Sequence, residues 1–152
     1  KIAQKVTNKK KRKGTRAPSG FVKPAPISNE LDSIINIIQP FSIVKIRAKL
    51  LTRTPEIVES TFHVDIPLSE EKLKQWTTSI FYINTNNGYT IFEDTGEKVQ
   101  SIKNQLLLFN AKRAHAGTSF TNAKNRIVIN MNFIPSTKTE EFLQNNSNYS
   151  VN

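Results

Sequence analysis

Cysteine is absent from the chain, which excludes a disulfide framework and thiolate chemistry and fits a reducing compartment. No apolar run approaches the ~20 residues of a membrane-spanning helix, and no charged-then-apolar leader opens the sequence. A soluble protein of the cytoplasm or nucleus, without a membrane partner, is therefore expected. Histidine occurs only at His63 and His115. Acidic residues are missing from positions 1–29, which hold nine Lys or Arg, so the formal charge of +10 belongs to an N-terminal arm and the remainder is close to neutral. At 152 residues the chain suffices for one domain with one modest core. It opens on Lys1 instead of Met, as a fragment or trimmed chain would.

The arm centres on Lys9-Lys10-Lys11-Arg12-Lys13. Such a block repels itself and is expected to be disordered. Residues 1–16 can contact nucleic acid through counterion release, act as a nuclear import signal, or form a solvated tail with no partner. Pro18, Gly20, Pro24 and Pro26 predict an extended linker. The chain thus divides into an arm and linker over 1–27, a folded domain over 28–135, and a flexible tail over 136–152 with a weak helical patch around Glu140 to Leu143. A helix is predicted over Ser28 to Ile38, capped by Ser28 or Asn29, with Leu31, Ile34, Ile35 and Ile38 on one stripe and Gln39-Pro40 as its stop.

Beyond it the pattern turns to strands. Phe41 to Thr52 alternates Val44, Ile46, Ala48 and Leu50 with Lys45, Arg47 and Lys49. Further strands are predicted at Thr61 to Ile66, Trp76 to Asn84, Tyr89 to Glu93, Val99 to Ile102 and Gln105 to Phe109, with a helical turn at Ser69 to Lys74. In the last strand, Arg126 to Phe133, one face is Ile127, Ile129, Met131 and Phe133; the other is Arg126, Val128, Asn130 and Asn132. The polar face suits a ligand-holding interior, and the apolar face calls for a covering helix, for which Ser28 to Ile38 is the candidate. Short strands, turn signals and little helix argue for a mainly all-β fold, a double-stranded β-helix or jelly roll.

Candidate chemistry gathers at Thr61-Phe62-His63-Val64-Asp65-Ile66. His63 and Asp65 are two apart in an extended run, so their side chains leave the same face. With His115 they make two imidazoles and one carboxylate, the ligand set of a non-haem Fe(II) oxygenase. Arg126, at the start of the last strand, has the planar fork that grips a carboxylate.

These pieces carry a resemblance. The segments F-H-V-D-I (62–66), T-S-I-F-Y-I-N-T-N-N-G-Y-T (78–90), H-A-G-T (115–118) and N-R-I-V-I-N-M-N-F (125–133), within Phe41 to Ile134, resemble the 2-oxoglutarate and Fe(II)-dependent dioxygenases, in particular prolyl-hydroxylase-like members of viral and phage type. The resemblance implies a jelly roll in which His63, Asp65 and His115 bind Fe(II). Arg126 would hold the distal carboxylate of 2-oxoglutarate. Tyr82 matches a tyrosine near the same carboxylate, its other reading being core packing, and Asn130 would add a hydrogen bond there. The implied activity is hydroxylation by dioxygen coupled to decarboxylation of 2-oxoglutarate to succinate, on a protein, peptide or nucleotide substrate, in a viral setting within a host cell. Lys45, Arg47 and Lys49 would meet the other carboxylate or the substrate, or be surface charge. Residues 11–31 resemble the opening of a SWIB domain, without the helices that complete one.

Two other functions fit the same residues. One is a non-catalytic jelly-roll module docking on nucleic acid or chromatin through its arm. The other is a cupin-like metalloenzyme that uses the same ligands without 2-oxoglutarate, against which the placement of Arg126 counts.

Overall fold

The computed structural model describes residues 26–145. Helix α1 (Pro26–Ile38) leads into strand β1 (Ser42–Thr52) and a short helix α2 (Glu70–Leu73). Strands β2 (Thr77–Tyr82), β3 (Tyr89–Phe92), β4 (Lys98–Gln100), β5 (Leu106–Asn110), β6 (His115–Gly117) and β7 (Asn125–Ile134) follow, and helix α3 (Thr137–Asn145) closes the described chain. The strands pair antiparallel in two sheets, ordered β1-β7-β2-β5 and β4-β3-β6. This is a mainly β, jelly-roll architecture. The expected disordered arm lies outside the described residues, as does most of the SWIB-like stretch.

Strand alternation creates two cores. The inward residues of the larger sheet, Ile80, Tyr82, Leu107, Phe109 and Val128, meet Phe92 of the smaller sheet. The outward residues Leu108, Met131 and Phe133 are covered by Ile34 and Ile38 of α1, with Phe142 and Leu143 of α3 packed alongside. The apolar face expected of the last strand is thus covered by the helix expected to cover it.

Several boundaries differ from the sequence expectation, each for a local reason. Helix α1 is described from Pro26, so Ser28 and Asn29 lie within the helical span and not at its edge. Gln39 ends it in the left-handed region, φ 47°, with its N–H on the Ile35 carbonyl at 2.8 Å, a C-terminal cap placed just before Pro40. In β1 the register shifts between Ile43 and Lys45, so Val44 is a bulge residue and does not share the face of Ile46, Ala48 and Leu50.

Thr137–Asn145, expected in a flexible tail with only a weak helical patch around Glu140 to Leu143, forms α3. Its start is fixed by Ser136, whose Oγ accepts from the Thr139 N–H at 3.2 Å, and the Thr139 hydroxyl donates to the Ile38 carbonyl at 2.7 Å. That hydroxyl ties the two helices together where α1 leaves an orphan carbonyl. The run Thr61 to Ile66, expected as a strand, is not one; only His63 is bridged there, to His115.

Candidate metal centre

The broken strand has a specific cause. Residues 58–63 run antiparallel to β6, with Ser119 N–H on Val58 O at 2.9 Å, Ser60 N–H on Gly117 O at 3.0 Å, and His63 and His115 exchanging both N–H···O bonds at 3.0 Å. The bridges join Glu59 to Thr118 and His63 to His115, so the first strand uses one more residue than its partner between them. Thr61 and Phe62 together oppose Ala116, which is a β-bulge. Directly opposed, hydrogen-bonded residues put their side chains on the same face. The imidazoles of His63 and His115 accordingly lie with ring centroids 5.0 Å apart.

Asp65 completes the group. Its Oδ2 is 3.7 Å from His115 Nε2 and its Oδ1 is 3.9 Å from His63 Nε2. One ligand atom from each of the three residues falls within 4.8 Å of the others. Bonds of about 2.0–2.2 Å to a shared ion place cis ligands roughly 3 Å apart, so the triangle closes on a cation by at most about 2 Å per edge, the scale of a rotamer adjustment. The donor set fits a divalent transition metal with open positions.

Each donor is oriented by a neighbour. His63 Nδ1 lies 3.0 Å from the Thr61 carbonyl and His115 Nδ1 lies 3.3 Å from the Arg113 carbonyl. A carbonyl only accepts, so Nδ1 carries a proton in both rings and Nε2 is the nitrogen turned toward Asp65. Asp65 Oδ2 accepts from the amides of Asn130 at 2.9 Å and Asn132 at 3.2 Å. The Asn132 amide also donates to Thr78 Oγ1 at 2.9 Å, while its own Oδ1 is buried without a partner. Lys45 Nζ donates to the Asp65 backbone carbonyl at 3.1 Å, tying the loop to β1.

The electrostatics favour the metal-binding protonation states. Burial alone would raise Asp65, but the bonds from Asn130 and Asn132 and the charges of His115 and Lys49 hold it below the usual carboxylate range. Burial pushes His115 below the ordinary histidine value, against the pull of Asp65. The carboxylate is ionised and the His115 imidazole neutral near pH 7.

The histidines line a cleft of about 350 Å³ together with Lys49, Thr118, Arg126 and Asn130. His63 forms its open side, with 41% of its side chain exposed. Arg126 is 3% exposed. Its Nε donates to Ser101 Oγ at 2.8 Å and its Nη1 to the Thr118 carbonyl at 3.0 Å. Among the described residues no carboxylate pairs with it. Tyr82 is fully buried beside it, 5.9 Å from the guanidinium carbon to the ring centre, and donates its hydroxyl to Thr90 Oγ1 at 2.8 Å. Burial raises the Tyr82 pKa and lowers that of Arg126.

The structure therefore gathers His63, Asp65 and His115 at one point, with Asn130 against Asp65. Arg126 lines the same cleft, with Tyr82 buried beside it. Asn132, Ser101, Thr90 and Thr118 support these groups and were not singled out from sequence. Only Asn132 had a signal, its place on the polar face of β7. Lys45, Arg47 and Lys49 lie on this side of the sheet, opposite Asn132, Asn130 and Val128, with Arg47 the exposed one of the three. Among the described residues no helix is long and apolar enough to cross a membrane.

No family model matches the chain, and no curated protein matches it. Among solved structures it is similar to a cupin protein from Bacteroides fragilis, with TM-score 0.40, 8% identity, and 60% of this chain and 66% of that chain covered. It is also similar to the nickel complex of the non-heme monooxygenase ThoJ, with TM-score 0.47, 12% identity and coverage of 70% and 49%. The chain thus spans about half to two thirds of each of those chains. The likeness is one of chain trace, and the reading of the site rests on the residues described above.

Proposed function

We propose that the protein is an Fe(II)- and 2-oxoglutarate-dependent dioxygenase that hydroxylates its substrate. The observation that carries this reading is that His63 and His115 of a three-donor cluster share one cleft with a buried guanidinium that has no carboxylate partner among the described residues. A cation taken out of water costs several kcal/mol unless an anion meets it. A small diacid that reaches both the cluster and Arg126 supplies that anion.

His63, Asp65 and His115 would hold the metal, and Arg126 the distal carboxylate. Two of its N–H donors are taken by Ser101 and Thr118, which fixes the guanidinium plane and leaves the rest of the fork for a ligand. Tyr82, its hydroxyl held by Thr90, lies beside that plane. Asn130 and Asn132 occupy Asp65 Oδ2, steering Oδ1 to the metal. When bound, Fe(II) with 2-oxoglutarate supplies oxidative decarboxylation of the diacid coupled to hydroxylation. The residues of this chain position the reactants, and the apolar wall of Ile80 and Val128 limits water.

Anaerobic addition of Fe(II) and then 2-oxoglutarate tests this reading. The native chain is expected to develop a visible charge-transfer band and His63→Ala to lack it. A colourless native sample that binds zinc tightly would replace it with a metalloenzyme that does not use 2-oxoglutarate.

A further inference from the structure

Strand β1 is an outer strand of the larger sheet. β7 takes one of its edges, and among the described residues no backbone group pairs with the other. The strand is 11 residues long, whereas edge strands are ordinarily short or covered because their free N–H and C=O groups template further pairing. After the bulge at Val44 it runs regularly from Lys45 to Thr52. Its two faces differ. Lys45, Arg47 and Lys49 share one face with Asn132, Asn130 and Val128, and Ile46, Ala48 and Leu50 share the other with Met131, Ile129 and Ile127. On the apolar face Leu50 is 65% exposed and Ile46 40%.

We propose that the free edge of β1 docks an extended partner segment that alternates acidic and apolar residues, which joins the sheet as a further strand. Its backbone would satisfy the free edge, its acidic side chains would stand beside Lys45, Arg47 and Lys49, and its apolar side chains would continue the surface of Ile46 and Leu50. Charge excludes two occupants from the same protein. A second copy pairing antiparallel through its own β1 sets three cations against three cations, an arrangement that is destabilising across strands. Residues 1–25 hold nine Lys or Arg and no acid, so they repel the same row. The cations therefore select an acidic strand. The proposal does not require a bound metal; Lys45 also braces the Asp65 carbonyl and Lys49 also lines the cleft, so Arg47 is the cation that serves the edge alone.

The test is fluorescence anisotropy on the full chain with a labelled peptide of about nine residues alternating Glu and Val, a length that spans Lys45 to Thr52. Saturable binding is expected, roughly tenfold weaker for Arg47→Glu, the effect of about 1.4 kcal/mol. A peptide alternating Lys and Val is expected to bind Arg47→Glu better than the native chain. Amide exchange of Lys45 to Leu50 should slow in the complex. A block isomer with all Glu before all Val offers the same charge to residues 1–29, so equal binding of the two isomers overturns the proposal. Equal binding by the Arg47→Glu variant overturns it too, as does a native chain that binds neither isomer. A homodimer that excludes the peptide assigns the edge to a second copy and has the same consequence.

Discussion

Replacing Asn132 by Leu separates the metal reading from a purely structural one. Asn132 is fully buried, and its amide nitrogen serves both Asp65 and Thr78 while its oxygen has no partner. Leu has nearly the same shape. The substitution removes a bond to a charged acceptor, worth about 1.5–3 kcal/mol, and one to a hydroxyl, worth about 0.5–1.5 kcal/mol. It also removes an unsatisfied buried oxygen, which recovers about 1–3 kcal/mol. The net cost to the metal-free fold is therefore small, on the order of 1 kcal/mol and a few degrees in Tm. The cost to metal binding is larger in proportion. Loss of a group that orients a ligand typically lowers affinity by about 10–100-fold. Metal-free thermal melts and competition titrations with Zn(II) or Mn(II) read the two quantities separately. A folded Asn132→Leu protein that keeps native metal affinity would refute the argument that the asparagine pair sets Asp65 for a cation.

Three further outcomes are expected. With Mn(II) and 2-oxoglutarate at about a hundredfold its Kd, the native protein gains about 2.7 kcal/mol; Arg126→Met should lose this diacid-dependent shift in Tm while keeping the shift due to metal alone, as melts with each addition will show. A Cβ at Gly88 would meet the Ser119 carbonyl at 2.8 Å and Arg126 Cδ at 3.1 Å, so Gly88→Ala should cost about 1–3 kcal/mol in urea unfolding and weaken the diacid shift together with stability. The folded pKa of His115 lies below its ordinary 6.5, so the unfolded chain binds the extra proton first; stability present above about pH 6.5 should fall as pH drops through the folded value, and metal-free melts of His115→Phe should lose that step.

The parts legible in the sequence were those set by period-two alternation. The faces of β7 follow directly from Arg126 to Phe133, and the extended run carrying His63 and Asp65 with a lone second histidine anticipated that the three side chains would meet. The missed parts depend on contacts between segments distant in sequence. The weak helical patch at Glu140 to Leu143 marked only part of Thr137–Asn145, because the stability of α3 comes from Phe142 and Leu143 against α1 and from the Thr139 bond to Ile38, not from propensity. Arg113 reads as an ordinary cation, yet it forms a paired contact with Asp94 at 2.8 and 2.9 Å and stacks over Phe92 at 3.9 Å, bracing the entry to β6. The asparagine bonds to Asp65 join positions 65 and 67 residues apart, a proximity that no local pattern encodes.

The bulge at Thr61 and Phe62 shows most clearly why the site needed an irregularity. Counting on from the Glu59 and Thr118 bridge in a regular ladder, the residue opposite His115 is Phe62, and His63 points to the other face of the sheet, because a slip of one residue reverses every side chain. The extra residue restores His63 to the position opposite His115. It also turns the Thr61 carbonyl toward His63 Nδ1 at 3.0 Å, so the same irregularity that corrects the register also fixes the proton on the nitrogen away from Asp65. A regular strand would have been easier to read in the sequence, but on this register it would have put a phenyl ring where the second imidazole has to be.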